Sequence, residues 1–134
     1  MIQARTPERV SELIKKGLDG GTDAFAIQID QLEREYRTES CYRELFEKMG
    51  GKSVYVTDYR NNMSTGMTDD ELADELLTLA KSGAALVDVM SDLYCPSKDE
   101  ITRDSAADAK QRELINKIHS YGAEVLMSSH TYRF

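Results

Sequence analysis

The chain has 134 residues, a mass of 15.1 kDa and a net charge of −7, because 17 basic residues are outnumbered by 24 acidic ones. This length predicts one domain, residues 1–134, with a core of its own, and the acidic charge argues against nucleic-acid and anionic membrane partners. No apolar run nears the ~20 residues of a membrane span, the N-terminus lacks the apolar core of a signal peptide, and two cysteines are too few for a disulfide framework or a zinc knuckle. We therefore expect a reduced, cytoplasmic protein.

The N-terminal half of the chain predicts two helices and two strands. The run Thr6-Pro7-Glu8 offers an N-cap, a proline at the first helical position and an acidic first turn, and apolar residues then recur at helical spacing. Alternating apolar positions and Val, Tyr and Thr enrichment indicate the strands. The predicted elements are a helix from Thr6 to Gly20, a strand over 24–30, a helix over 40–49 and a strand over 52–59.

The C-terminal half continues the alternation. Thr68 and Glu71 have the spacing of a capping box, and Gly122 is placed to end the last helix. The predicted elements are a helix from Thr68 to Ser82, a strand over 85–90, a loop over 91–102, a helix from Asp104 or Ser105 to Gly122 and a strand over 123–128, with a strand stub at 2–4. Strands alternating with helices predict an α/β fold of parallel βα units joined by right-handed crossovers.

An ionisable side chain lies at or just after the C-terminal end of each predicted strand. These side chains are Asp30, Asp58 with Arg60, Asp88, and His130. The carboxyl edge of a parallel sheet is where α/β proteins keep their chemistry, which makes all of them candidates. Each also has a structural interpretation, since an aspartate there often caps a helix or anchors a loop, His130 could lie on the surface, and Arg60 could neutralise Asp58.

Four segments, in order, resemble type I 3-dehydroquinate dehydratase. They are Ile27-Gln28-Ile29-Asp30, Val56-Thr57-Asp58-Tyr59-Arg60, Ser82-Gly83-Ala84-Ala85-Leu86-Val87-Asp88-Val89 and Met127-Ser128-Ser129-His130-Thr131-Tyr132. That family is a (β/α)8 barrel, a lyase of the shikimate pathway, which dehydrates 3-dehydroquinate through a lysine Schiff base without metal or cofactor. The resemblance therefore implies a partial TIM barrel of about four to five strands, equivalent to the N-terminal half of the family's barrel.

The resemblance also implies roles for single residues. His130 matches the histidine that acts as general acid and base, and Arg60 matches the arginine that holds the substrate carboxylate. Asp30 matches the aspartate of the second family strand, and Gln28, Asp58 and Ser128 complete the candidate substrate-binding set. No cofactor and no metal is implied, and the expected partner is a small-molecule carboxylate.

Several family positions are changed in this chain. The Glu-x-Arg-x-Asp pattern of the family has Ala26 and Gln28 in place of Glu and Arg, and the Glu-Gly-Gly loop is replaced by Ser64-Thr65-Gly66. The Schiff-base lysine belongs to the following barrel strand, and none of Lys52, Lys98, Lys110 and Lys117 matches it. Without that amine there is no imine to accept electrons during proton abstraction, so we expect a weak or inactive lyase, a pseudoenzyme.

Three further interpretations stay open at this stage. A half barrel leaves unpaired strand edges, which predicts a homo-oligomer or a missing C-terminal half, or else strands rearranged into an open, flatter sheet. A second possibility is a non-catalytic small-anion-binding or assembly module, with the anion at Arg60. A third is a divalent-metal site for Mg²⁺ or Mn²⁺, formed by Asp30, Asp58, Asp88 and His130 if these side chains converge.

Overall fold

The computed structural model describes residues 1–130 as four strands that alternate with four helices. The strands are β1 (Ala24–Gln28), β2 (Ser53–Thr57), β3 (Leu86–Met90) and β4 (Glu124–Ser128). The helices are α1 (Pro7–Asp19), α2 (Glu39–Lys48), α3 (Asp69–Lys81) and α4 (Ser105–Ser120). Three short 3₁₀ helices occupy Ile29–Gln31, Arg34–Tyr36 and Asn62–Ser64.

The sheet is fully parallel and its strands follow the chain in the order β1-β2-β3-β4. Each helix packs beside the next one along the chain, as expected when every crossover has the same hand. Ile2 adds a single parallel bridge to Ile27 at the outer edge of β1, where the strand stub was predicted. The predicted α/β fold of parallel βα units is confirmed, and the arrangement is consistent with a partial barrel.

The two faces of the sheet differ in what they carry. The face toward the helices is apolar and fully buried at its centre, and it includes Ile27, Val56 and Val87. The opposite face carries polar side chains, among them Tyr55 and Asp88. This division follows from the period of two along each strand, because partners in parallel register point to the same side.

Helix boundaries follow the local capping signals. The side chains of Thr6, Thr68 and Asp104 each accept a hydrogen bond from a backbone N–H in the first turn of α1, α3 and α4. Gly122 has φ +87°, a left-handed conformation that favours glycine and that ends α4 as predicted. None of the helices within residues 1–130 has the length and apolar composition needed to cross a membrane.

Two strands end earlier than predicted, and this moves candidate residues off the sheet. β1 stops at Gln28 because Leu32 N–H bonds the carbonyl of Ile29, which winds Ile29–Gln31 into a helical turn. β2 stops at Thr57, so Asp58 and Arg60 lie in a loop. Strand periodicity therefore does not place Asp58 and Arg60 together, and each finds its own partners.

Candidate active site

A cavity of about 370 Å³ opens at the carboxyl edge of the sheet. The ends of β1 and β3, the loop after β2, the β3–α4 loop and the segment after β4 all contribute to it. Its lining includes Gln28, Tyr59, Arg60, Asn61, Glu100 and His130. Three of the predicted site residues, His130, Arg60 and Gln28, are therefore brought to one cavity.

His130 is held by Glu100 of the β3–α4 loop. Its Nδ1 lies 3.2 Å from Oε2 of Glu100, and its backbone N–H donates to the same oxygen. The ring meets Tyr59 edge-on, with 4.9 Å between ring centroids. When Nδ1 carries the proton that faces Glu100, Nε2 of the neutral ring is a hydrogen-bond acceptor, as a general base requires.

Arg60 is enclosed by two carboxylates. Its Nε and Nη2 donate to the two carboxylate oxygens of Asp69 at 2.8 and 2.9 Å, and its Nη1 donates to Asp92 at 2.8 Å. Burial alone would lower the pKa of Arg60, but the hydrogen bonds to Asp69 and Asp92 outweigh it and raise that pKa. The interpretation that Arg60 neutralises Asp58 is wrong, because Arg60 pairs with these two residues instead.

Asp88 lies beside the cavity, buried on the polar face of the sheet, opposite the helices. One carboxylate oxygen accepts from Tyr55 Oη at 2.6 Å and from Tyr59 Oη at 3.1 Å, and the other accepts from Ser128 Oγ. Burial, reinforced by the charge of Asp88, raises the pKa of Tyr59 to about 12. Burial raises the pKa of Tyr55 as well, so both phenols stay protonated near neutral pH. Asp88 thus accepts hydrogen bonds from three hydroxyl groups, and no Lys, Arg or His side chain within residues 1–130 forms an ion pair with it.

Asp30 is fully buried and anchors the loops that frame the cavity. It accepts from Gln28 Nε2 at 3.0 Å, from Asn62 Nδ2 at 2.6 Å and from the Tyr59 backbone N–H at 3.3 Å. Gln28 in turn accepts a hydrogen bond from Gln3 at 2.7 Å. The amide of Gln28 is thus engaged within the protein on both of its ends, and the structural interpretation of Asp30 as a loop anchor fits these contacts.

Asp58 faces the helices rather than the cavity. It contacts Arg37 Nη2 at 3.1 Å and accepts from Ser64 Oγ at 2.6 Å, while Arg37 also binds Glu75 of α3 at 2.7 Å. Tyr42 of α2 donates to the same Glu75. Burial, and then the neighbouring charge of Glu75, raises the pKa of Asp58 to about 8.

The predicted metal site is not formed by these residues. Asp30, Asp58, Asp88 and His130 do not contact one another, and each is hydrogen-bonded to other residues. Across residues 1–130, no group of three or more His, Cys, Asp or Glu side chains is placed to hold a metal ion. The physical reason is that each of the three aspartates already receives protein donors at its own strand end.

The partners of the candidate residues are what sequence reasoning missed. Asp92 and Glu100 both lie in the predicted loop 91–102, and Asp69 lies in the first turn of α3. The available signal was a long, acid-containing loop at the carboxyl edge of the sheet. Thr131 and Tyr132, which belong to the segment that resembles the family, lie outside the described residues.

Among residues 1–130, no lysine lines the cavity. The retained groups can therefore accept and donate protons but offer no amine for an imine. Comparisons with models of known protein families and with curated proteins found no match to this chain. What the cavity does must be inferred from its own geometry and from the sequence resemblance.

Proposed function

We propose that this chain is a divergent protein of the type I 3-dehydroquinate dehydratase kind, weak or inactive as a lyase in its present form. The observation that carries the proposal is His130, which lies in a cavity at the carboxyl edge with Nδ1 on Glu100. The four resembling segments supply the parallel strands that frame this cavity. A carboxylate-held histidine at such an edge is suited to moving protons on a small hydroxylated molecule.

The lyase chemistry of the family needs more than this histidine. Removing a proton next to a carbonyl requires an electron sink, which the family creates by forming an imine with lysine. Among the residues that the structure describes at the cavity there is no such amine. The proposal is therefore a small-molecule site that keeps its acid–base residue, and turnover would require a lysine from elsewhere.

Covalent trapping tests the missing amine. The protein is mixed with 3-dehydroquinate and borohydride, and its mass is measured. We expect no adduct on residues 1–134. If these residues are part of a longer protein whose next strand carries a lysine, that longer protein should form the adduct. An adduct on residues 1–134 would contradict the proposal.

Nuclear magnetic resonance tests the binding site, because the chain has two histidines. Millimolar 3-dehydroquinate should shift the ring signals of His130 saturably and leave those of His119 on α4 unchanged. The variants His130→Asn and His119→Asn assign the two signals and serve as matched site and control substitutions. A spectrum in which neither histidine responds would refute the proposed site.

The proposal also covers the location of the protein in the cell and its assembly. We place it in the cytoplasm, where Cys41 and Cys95, both free thiols, would remain reduced. We also propose that the outer edge of β4 is covered by a second copy or by a further strand, because an unpaired parallel edge promotes association.

A further inference from the structure

Arg60, which lines the cavity, is almost completely used by the protein itself. Its guanidinium has five N–H donors, and four contacts to Asp69 and Asp92 are formed: two to the Asp69 carboxylate, one to the Asp92 carboxylate and one to the Asp92 carbonyl. One positive charge is thus matched by two negative ones. The guanidinium therefore has no free pair of N–H groups with which to bind a ligand carboxylate in a bidentate manner.

The two aspartates are held in place by further hydrogen bonds. Asp69 accepts from the Tyr94 backbone N–H at 2.8 Å, and Asp92 accepts from the Ser97 backbone N–H at 2.9 Å. The Asp92 side chain is 2% exposed and that of Asp69 is 17% exposed. An incoming anion would have to displace carboxylates that are already anchored, which costs more than displacing water.

Other acidic residues surround the cavity. Glu100 lines it directly, and the buried Asp30 and Asp88 bind the lining residues Gln28 and Tyr59. Asp30 and Asp88 contact only neutral amide, hydroxyl and backbone donors, so neither of them adds a cation to the surroundings of the cavity. The one arginine of the lining is therefore outnumbered by Asp69 and Asp92, which pair with it, and by Glu100, which lines the cavity.

We infer that this cavity selects a neutral polyhydroxylated ligand over a carboxylate, with Asp69 and Asp92 as the specificity-determining residues. The inference rests on the proposed function, because it names the ligand class of the same site. It predicts weak binding of 3-dehydroquinate, whose carboxylate would meet a neutralised arginine. Hydroxyl groups, by contrast, can donate to Glu100 and to Nε2 of His130 without a charge penalty.

Quinate and methyl quinate test the inference, because they share one hydroxylated ring and differ in whether the carboxylate is free. We expect methyl quinate to bind about tenfold more tightly than quinate, as measured by calorimetry or by the shift of the His130 signals. The variants Asp69→Asn and Asp92→Asn should each raise quinate affinity about tenfold and change methyl quinate affinity less than twofold. Asp69 is partly exposed, so D69N carries the test even if D92N does not fold.

Asp70→Asn is the matched control, since it removes the same charge from the next residue of α3, whose side chain is 78% exposed and contacts Lys110. D70N should leave both affinities within twofold of the unsubstituted protein. The inference would be overturned, while the proposed site stands, if quinate bound as tightly as its ester. The same would follow if D69N and D92N left quinate affinity unchanged, as D70N should. Binding of neither compound to any variant would refute the proposed site itself.

Discussion

Arg37 is the residue that ties the carboxyl end of β2 to the helices. Its side chain is 3% exposed and joins Asp58 to Glu75. Burial, and then the charge of Glu75, raises the pKa of Asp58 well above its usual range, because the one guanidinium of Arg37 cannot compensate both carboxylates. Such a cluster stabilises one arrangement of α2, α3 and the loop after β2, and it makes that arrangement sensitive to pH.

Asp58→Asn should flatten the dependence of stability on pH. The folded protein holds the Asp58 proton up to about pH 8, whereas the unfolded chain releases it near the ordinary pKa. The proton that the folded protein holds on Asp58 therefore contributes its full stabilisation below about pH 4. This contribution to the free energy of unfolding is lost as the pH rises through 8, by at most about 1.4 kcal/mol per pH unit. Urea unfolding at a series of pH values measures it, with D70N as control. Equal slopes for D58N and the unsubstituted protein would contradict this assignment.

Helix α3 supplies one acidic partner to Arg60 and one to Arg37. Asp69 in its first turn holds Arg60, and Glu75 holds Arg37. The helix begins at a capping box, where Thr68 Oγ1 accepts from the Glu71 N–H at 3.1 Å and Glu71 Oε2 accepts from the Thr68 N–H at 2.7 Å. The start of α3 thus determines where both ion pairs lie.

Thr68→Ala should lower the free energy of unfolding by about 1 kcal/mol, because it removes the side-chain acceptor from the first turn of α3. Urea denaturation of the two proteins measures the difference. Thr65→Ala is the control, since Thr65 is an exposed loop residue whose hydroxyl makes no hydrogen bond within residues 1–130, and it should change stability by less than about 0.5 kcal/mol. An equal loss in both variants would argue against a specific capping effect.

Residues 1–130 form one parallel sheet, and the helices pack against its apolar face. Within residues 1–130 no strand pairs with the outer edge of β4, where Leu126 and Met127 are 45% and 43% exposed on opposite faces. Unpaired backbone groups beside exposed apolar side chains favour the addition of another strand. The fold is therefore expected to be an associating unit.

Light scattering after size-exclusion chromatography should show a mass above 15.1 kDa that rises with protein concentration. Met127→Lys and Leu126→Lys should each reduce this mass, because a charge on an edge strand opposes pairing. Ile101→Lys is the matched control, since Ile101 is 43% exposed in the β3–α4 loop and belongs to no strand. A folded monomer at all concentrations would exclude self-association through β4.

The sequence alone was enough to predict the elements and their order. Caps such as Thr6 and Thr68 and the end at Gly122 are contacts between neighbouring residues, so their spacing is visible in the chain. The alternation of β1 and β2 likewise determined which residues face the helices. Parallel pairing followed from the lengths of the connections.

Only the tertiary structure decided the partners at the carboxyl edge. Arg60 finds Asp92 and His130 finds Glu100 across 32 and 30 residues of chain, and Asp58 finds Arg37 rather than the nearby Arg60. Pairings at such separations depend on where each loop leaves its strand. Because β1 and β2 end earlier than predicted, the loops after them begin at different residues from those expected. The sequence therefore determined which ionisable groups reach this edge, and the packing of loops determined how their charges are balanced.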